Sequence, residues 1–167
     1  IKERFEKLIR YSDPDKKKQT LFIWPEGVFS GYSFEQILIF KELISKSFSN
    51  NHYIIFGANR LEPTSGYFYN SMLTINNNFD IIQSYNKRKL VPFGEFLPLE
   101  SILNNFGLKK ITEGYGSFLK GTENKNILFD ELNILPLICY EIIFTDLIQK
   151  SDDETRKWSS TGLLCRR

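Results

Sequence analysis

The chain has 167 residues, 41% of them hydrophobic and 25% charged, with a net charge of +2. This is the composition of one globular domain large enough to bury a core, and the small net charge gives no electrostatic case for nucleic acid. No stretch approaches the roughly 20 apolar residues of a membrane span, two cysteines are too few for a disulfide scaffold, and a single histidine excludes a multi-histidine metal site.

Residues 1–12 show apolar positions at Phe5, Leu8 and Ile9, the spacing of an amphipathic helix, ending before Asp13-Pro14. The opening is not Met and lies inside this helical pattern, which suggests a start within a larger protein. Lys16-Lys17-Lys18 is a short solvated charge run. Thr20–Trp24 is an apolar strand stopped by Pro25, and Glu26 follows at its carboxyl end. Residues 34–48 form a second helix with Ile37, Phe40, Ile44 and Phe48 as its core stripe. Tyr53–Gly57 is the next buried strand, and His52, in the polar turn before it, is expected to be an exposed loop residue.

Two strands, Tyr67–Ile75 and Phe79–Tyr85, flank the turn Asn76-Asn77-Asn78 as a β-hairpin. Residues 87–122 carry prolines and glycines in a mixed pattern. They predict ordered irregular connections of the kind that form binding loops, with a short helix near 99–106. Residues 126–139 give a second hairpin around Asp130-Glu131, whose apolar return strand rises to Cys139. A third helix begins over 141–150. The tail, residues 151–167, is polar, shows no strand pattern, contains the second cysteine, Cys165, and is expected to be disordered. Helices alternating with buried strands and hairpins indicate an α/β protein with layered sheets and no internal repeat.

Three segments present an ionisable residue at a strand end: Glu26 in Trp24-Pro25-Glu26, Lys87 in Tyr85-Asn86-Lys87-Arg88-Lys89, and Cys139 in Cys139-Tyr140-Glu141. Singly, a lone Glu or Lys is usually surface charge, and a lone Cys after an apolar run is usually a small buried hydrophobe. Together they form a chemically complete set. A thiolate nucleophile needs a base within reach, with His52 poorly placed a carboxylate can serve, and an ammonium can stabilise the oxyanion of an attacked carbonyl.

In that order, Trp-Pro-Glu, Tyr-Asn-Lys-Arg-Lys-Leu-Val-Pro-Phe-Gly-Glu-Phe and Cys-Tyr-Glu resemble the three motifs of the nitrilase (carbon-nitrogen hydrolase) superfamily. Within it, Lys87–Pro98 with Ile138–Ile143 is similar to the bacterial apolipoprotein N-acyltransferases. The resemblance covers residues 1–150. It implies a partial catalytic domain of the four-layer α-β-β-α sandwich type, incomplete at both ends, followed by a divergent tail over 151–167. It also implies Glu26 as general base, Lys87 as oxyanion stabiliser and Cys139 as acylated nucleophile, supported by Glu95, Tyr140 and Glu141. Gly114–Gly121 resembles the family's glycine-containing loop ahead of the nucleophile strand, and Lys89 stands where the superfamily often has His.

The implied reaction takes a fatty acyl chain from a phospholipid onto Cys139 and passes it from the thioester to the N-terminal amine of a diacylglyceryl-cysteine lipoprotein. It needs no metal or organic cofactor. By the same resemblance the enzyme sits in the bacterial inner membrane with this domain on the periplasmic face, anchored by a segment absent from this chain. After Ser151-Asp152-Asp153 the family pattern should continue into a strand and an Asn-Asp-x-Trp-Phe-Gly-like segment. Here Glu154–Ser160 follows instead, as a truncation or frameshift would produce. The competing readings are a soluble nitrilase-type amidase acting on a small amide, and a non-catalytic remnant of a split gene.

Overall fold

The computed structural model describes residues 1–96, 117–123, 125–148, 156–158 and 164–166, the last two stretches and Ile148 by backbone alone. The helix expected near 99–106 lies outside the described residues. Helix α1 spans Lys2–Ser12 and stops where Asp13 turns left-handed (φ 40°), since the following Pro14 disfavours helical geometry at the residue before it. Strand β1 (Thr20–Ile23) leads through a turn to Ser33, whose hydroxyl accepts from the Gln36 N–H while its own N–H donates to the Gln36 side chain. That capping box starts α2 (Phe34–Ile37), followed by a 3-10 turn (Leu38–Phe40) and α3 (Lys41–Ser47). The single helix expected over 34–48 is therefore broken in the middle, yet Ile37, Ile44 and Phe48 are still buried as one stripe.

Strands β2 (His52–Leu61), β3 (Phe68–Asn76) and β4 (Ile81–Asn86) complete a four-stranded sheet in the order β1-β2-β3-β4, with β1 and β2 parallel and the other pairs antiparallel. The β3–β4 turn is built by Asn76, whose side-chain oxygen accepts from the Asn78 and Asp80 N–H groups. The left-handed residue in it is Phe79 (φ 64°), and its ring is buried against Phe5, Phe34 and Phe56. A core contact of this kind offsets the backbone strain of a non-glycine residue at positive φ.

Because side chains alternate across a strand, the sheet buries both faces. On one face Ile54, Phe56, Leu73 and Ile75 pack against the helical layer around Phe5, Ile37, Ile44 and Phe48. On the other, Leu21, Ile23, Ile55 and Met72 meet Ile127, Leu132 and Ile134 of a second sheet. That sheet starts with the hairpin β5 (Ile127–Phe129) and β6 (Leu132–Leu135), turning through Asp130 at φ 53°. This is the α/β, sheet-on-sheet layering the sequence predicts.

Three expectations change. His52 is fully buried rather than exposed: Nε2 donates to the Asp15 carbonyl at 2.9 Å, Nδ1 accepts from the Ser49 N–H, and Phe22 and Phe48 meet the ring edge-on. Its role is to fasten the amino ends of β1 and β2. The return strand of the second hairpin ends at Leu135, not Cys139, because Pro136 has no N–H to continue the ladder. In the tail, read as free of strands, the backbone forms β7 (Arg156–Trp158) and β8 (Leu164–Arg166), and β8 pairs antiparallel with β6. The second sheet thus runs β5-β6-β8-β7, with Cys165 on β8 opposite Ile134.

The densest aromatic packing surrounds Phe5, stacked on Phe29 at 4.6 Å and near Trp24 and Phe40. Phe5→Ala is expected to cost about 3–5 kcal/mol, whereas Ile39→Ala, at a site 75% exposed, changes stability by no more than about 0.5 kcal/mol. Urea unfolding midpoints at equal slope test both, and equal effects would contradict this placement of the core.

Candidate active site

The strand registers bring the exits of β1 and β4 to the same end of the sheet. Trp24 N–H continues the parallel pairing by donating to Ile55, while Asn86 pairs with Ser71 and Ser71 with Ala58. Glu26 stands in the turn after β1, followed by Gly27, whose φ of 74° suits a residue without a Cβ. Phe29, buried on Phe5, and the bond from Arg4 to the Val28 carbonyl hold this turn from beneath. The Glu26 side chain itself is exposed, and among the described residues it makes no hydrogen bond or ion pair.

Lys87 is the first residue past β4. Its side chain is only 2% exposed, and its ammonium donates to Glu95 Oε1 at 2.9 Å. The loop that carries Glu95 closes on itself, with Glu95 N–H donating to Val91 O and Phe93 at φ 61°. Glu95 Oε1 also accepts from the Asn70 side-chain amide, and Oε2 accepts from the Val91 N–H. Opposite Glu95, the Tyr140 ring lies 5.0 Å from the Lys87 nitrogen, a cation–π contact. Burial, and next the Glu95 charge, push the Tyr140 hydroxyl above its ordinary value. A lysine has three N–H donors, and the bond to Glu95 uses one of them.

Cys139 is exposed and opens a 3-10 turn, Cys139–Ile143, at φ 57°. The expected helix over 141–150 is instead this tight turn followed by α4 (Thr145–Ile148). The left-handed backbone makes the corner sharp, and the cysteine stands exposed on it. Glu141 anchors the corner. It is fully buried, and its carboxylate accepts from Ile138 N–H, Arg88 N–H, Lys89 N–H and the Tyr85 hydroxyl at 2.7–3.1 Å. Burial, and next the Glu141 charge, raise the Tyr85 hydroxyl far above its ordinary value, so it remains a donor. Lys89 adds an ion pair to Asp146 on α4 at 2.9 Å, which holds that carboxyl below its ordinary value, and lies over the Phe144 ring.

A further segment crosses this end of the sheet. Gly121 N–H donates to Lys87 O, Leu119 N–H to Phe68 O, and Phe118 N–H to Glu95 O. A Cβ on Gly121 would sit 2.1 Å from the Asn86 carbonyl oxygen, so only glycine permits the crossing.

Lys87, Glu95, Tyr140, Glu141 and the Cys139 corner are therefore brought together. Glu26 leaves the same end of the sheet, and no hydrogen bond joins it to Cys139 among the described residues. His52 lies at the opposite end, on the amino side of β2. The sequence reading missed Asn70 and Tyr85. The available signal was a polar amide inside an apolar strand and a tyrosine two residues before the lysine. No group of three or more His, Cys, Asp or Glu that could hold a metal occurs among the described residues.

Glu141→Ala leaves four donors facing a void and is expected to cost at least about 3 kcal/mol, read from the urea midpoint. Glu141→Gln, which keeps one acceptor oxygen, should cost less. Because the folded state holds Tyr85 protonated above its ordinary value near 10, the unfolded chain releases that proton first as pH rises. Stability should be unaffected below about pH 10 and fall above it by up to about 1.4 kcal/mol per pH unit. Tyr85→Phe should flatten that alkaline slope while lowering stability at neutral pH.

The profile of the carbon-nitrogen hydrolase family matches residues 2–153. Among curated proteins, the apolipoprotein N-acyltransferase of Brucella suis is 33% identical over 151 residues, covering 85% of this chain and 28% of that protein. The apolipoprotein N-acyltransferase of Wigglesworthia glossinidia brevipalpis is 36% identical over 163 residues, covering 90% and 31%. The chain thus spans about a third or less of the length of these relatives. Among solved structures, the glutamine-dependent NAD+ synthetase of Acinetobacter baumannii superposes with a TM-score of 0.60 at 19% identity, over 89% of this chain and 27% of that one. An amidase from Nesterenkonia sp. AN1 gives 0.52 at 15% identity, over 87% and 52%. These two likenesses are of fold. With the family profile matched over nearly the whole described length, the chain belongs to the carbon-nitrogen hydrolase family.

Proposed function

We propose that this chain is the catalytic domain of an apolipoprotein N-acyltransferase, in which Cys139 carries a fatty acyl group between two lipid substrates. The observation that carries the reading is the joining of Lys87 to the Cys139 corner, through Glu95, Tyr140 and Glu141, in a chain whose curated relatives bear that name.

In the first half-reaction Glu26 removes the thiol proton, and the Cys139 sulfur bonds to the ester carbonyl carbon of a phospholipid. The carbonyl oxygen becomes an oxyanion opposite the Lys87 ammonium. Collapse breaks the ester C–O bond, and the lysophospholipid leaves with the proton from Glu26. In the second half-reaction the N-terminal amine of a diacylglyceryl-cysteine lipoprotein attacks the thioester carbon. Glu26 takes the amine proton, the C–S bond breaks, and the amide leaves as Glu26 returns that proton to the sulfur, restoring the thiol. Thiolate, carboxylate and ammonium supply this chemistry, and no cofactor enters it. Tyr140 and Glu95 flank the ammonium and fix its direction. No helix among the described residues is long and apolar enough to cross a membrane. In this reading, attachment to the inner membrane, with the domain on its periplasmic face, is made by other parts of the protein.

The test is intact mass spectrometry after incubation with vesicles of phosphatidylethanolamine and phosphatidylglycerol. A fatty-acyl adduct is expected on the parent chain and absent from Cys139→Ala, and Lys87→Met should slow its formation about 100-fold or more. No adduct on the folded parent, or an adduct that survives in Cys139→Ala, overturns the proposal. Hydrolysis of small amides without acylation by phospholipid would show an amidase instead.

A further inference from the structure

Asn70, on β3, touches both members of the buried Lys87–Glu95 pair. Its carbonyl oxygen accepts the Lys87 N–H at 2.8 Å, and its side-chain amide donates to Glu95 Oε1 at 2.9 Å. The same Oε1 accepts from the Lys87 ammonium at 2.9 Å. The three residues therefore close a hydrogen-bonded triangle in which one strand residue fixes the backbone of the lysine and the head of the carboxylate. A lysine on a flexible four-carbon stem is held only as firmly as its partner, and a carboxylate bonded from one side pivots about its last torsion. The Asn70 amide and the Val91 N–H occupy the two oxygens of Glu95 from different walls and remove that freedom.

We propose that Asn70 is a positioning residue: by clamping Glu95 it holds the Lys87 ammonium in the one direction from which it can meet the oxyanion above Cys139. This rests on the role given to Lys87 under the proposed function. Asn70 itself is given no contact with substrate, so it acts only through Glu95 and Lys87. An asparagine that merely filled a strand position would leave the ammonium unchanged when replaced.

The experiment uses the whole chain, parent, Asn70→Ala and Asn70→Asp, with two readouts. The first is the proton–nitrogen NMR signal of the Lys87 ammonium, protected in the parent by burial and assigned by its loss in Lys87→Met. Its exchange with water is expected to be about tenfold faster or more in Asn70→Ala. The second is the rate of Cys139 acylation by phospholipid relative to the parent, expected to fall about tenfold or more in both variants near neutral pH. For Asn70→Asp the deficit should narrow as pH falls from about 8 to about 6, since the introduced carboxyl, once protonated beside Glu95, again donates to Oε1. For Asn70→Ala it should not narrow.

Unchanged ammonium exchange in the variants overturns the proposal, as does a deficit in Asn70→Asp that is the same at every pH. If Asn70→Ala does not fold, Asn70→Asp, which keeps the side chain's shape, decides on both readouts. If the parent is not acylated at all, the proposed function falls while the ammonium exchange still decides the role of Asn70.

Discussion

The site depends on one buried carboxylate. Glu141 takes hydrogen bonds from the backbone on both sides of a gap that the chain spans with some fifty residues: Arg88 and Lys89 after β4, and Ile138 before the Cys139 corner. A buried ionised group is tolerated only when its lone pairs are occupied, and here the Tyr85 hydroxyl completes the set. The consequence is geometric. The segment that carries the candidate ammonium and the turn that carries the candidate nucleophile are fastened to the same two oxygens, so neither shifts without breaking a charge-assisted bond. Lys89, paired with Asp146, repeats the link at the surface, where it contributes little energy but keeps the same two segments in register.

The Lys87–Glu95 pair shows the opposite use of burial. Desolvating a lysine and a carboxylate costs several kcal/mol per ion, and an isolated buried pair often stabilises a fold no better than packed apolar residues. What the burial secures is position. The Asn70 amide and the Val91 N–H bond the carboxylate, and the Tyr140 ring lies against the ammonium. Charge fixed in a dry environment acts more strongly on a developing oxyanion than charge that must first reorganise. The strand β3 that holds Asn70 is buried between the helical layer and the second sheet, so the rigidity of the core is passed to the site.

Most of the fold was legible because the apolar periodicities were strong. The α1 stripe and the first hairpin appear within a residue or two of their expected positions, the β2 run is found but extends four residues further, and the second hairpin turns where expected but ends four residues early. His52 was misread because a polar turn in sequence says nothing about a ring that folds back under Phe22 and Phe48 to bond a loop carbonyl thirty-seven residues away. Phe79 was equally opaque: an asparagine-rich turn suggests an asparagine at positive φ, yet the core claims the phenylalanine and the backbone yields. The pairing of β8 with β6 arises from an open sheet edge, which accepts any suitable backbone, so it left no mark in side-chain pattern.

The sequence by itself determined which chemistry is available. One cysteine at the end of an apolar run, a glutamate after a strand and a lysine in a distinctive motif are properties of residue type and spacing, readable without coordinates. Only the tertiary structure decided how those groups are held. That Asn70 clamps Glu95, that Glu141 ties two distant loops, and that Gly121 alone permits the crossing over Asn86 are facts of close approach between segments far apart in the chain. Local sequence encodes the propensity of each segment, whereas a hydrogen bond between segments exists only once packing has set their separation.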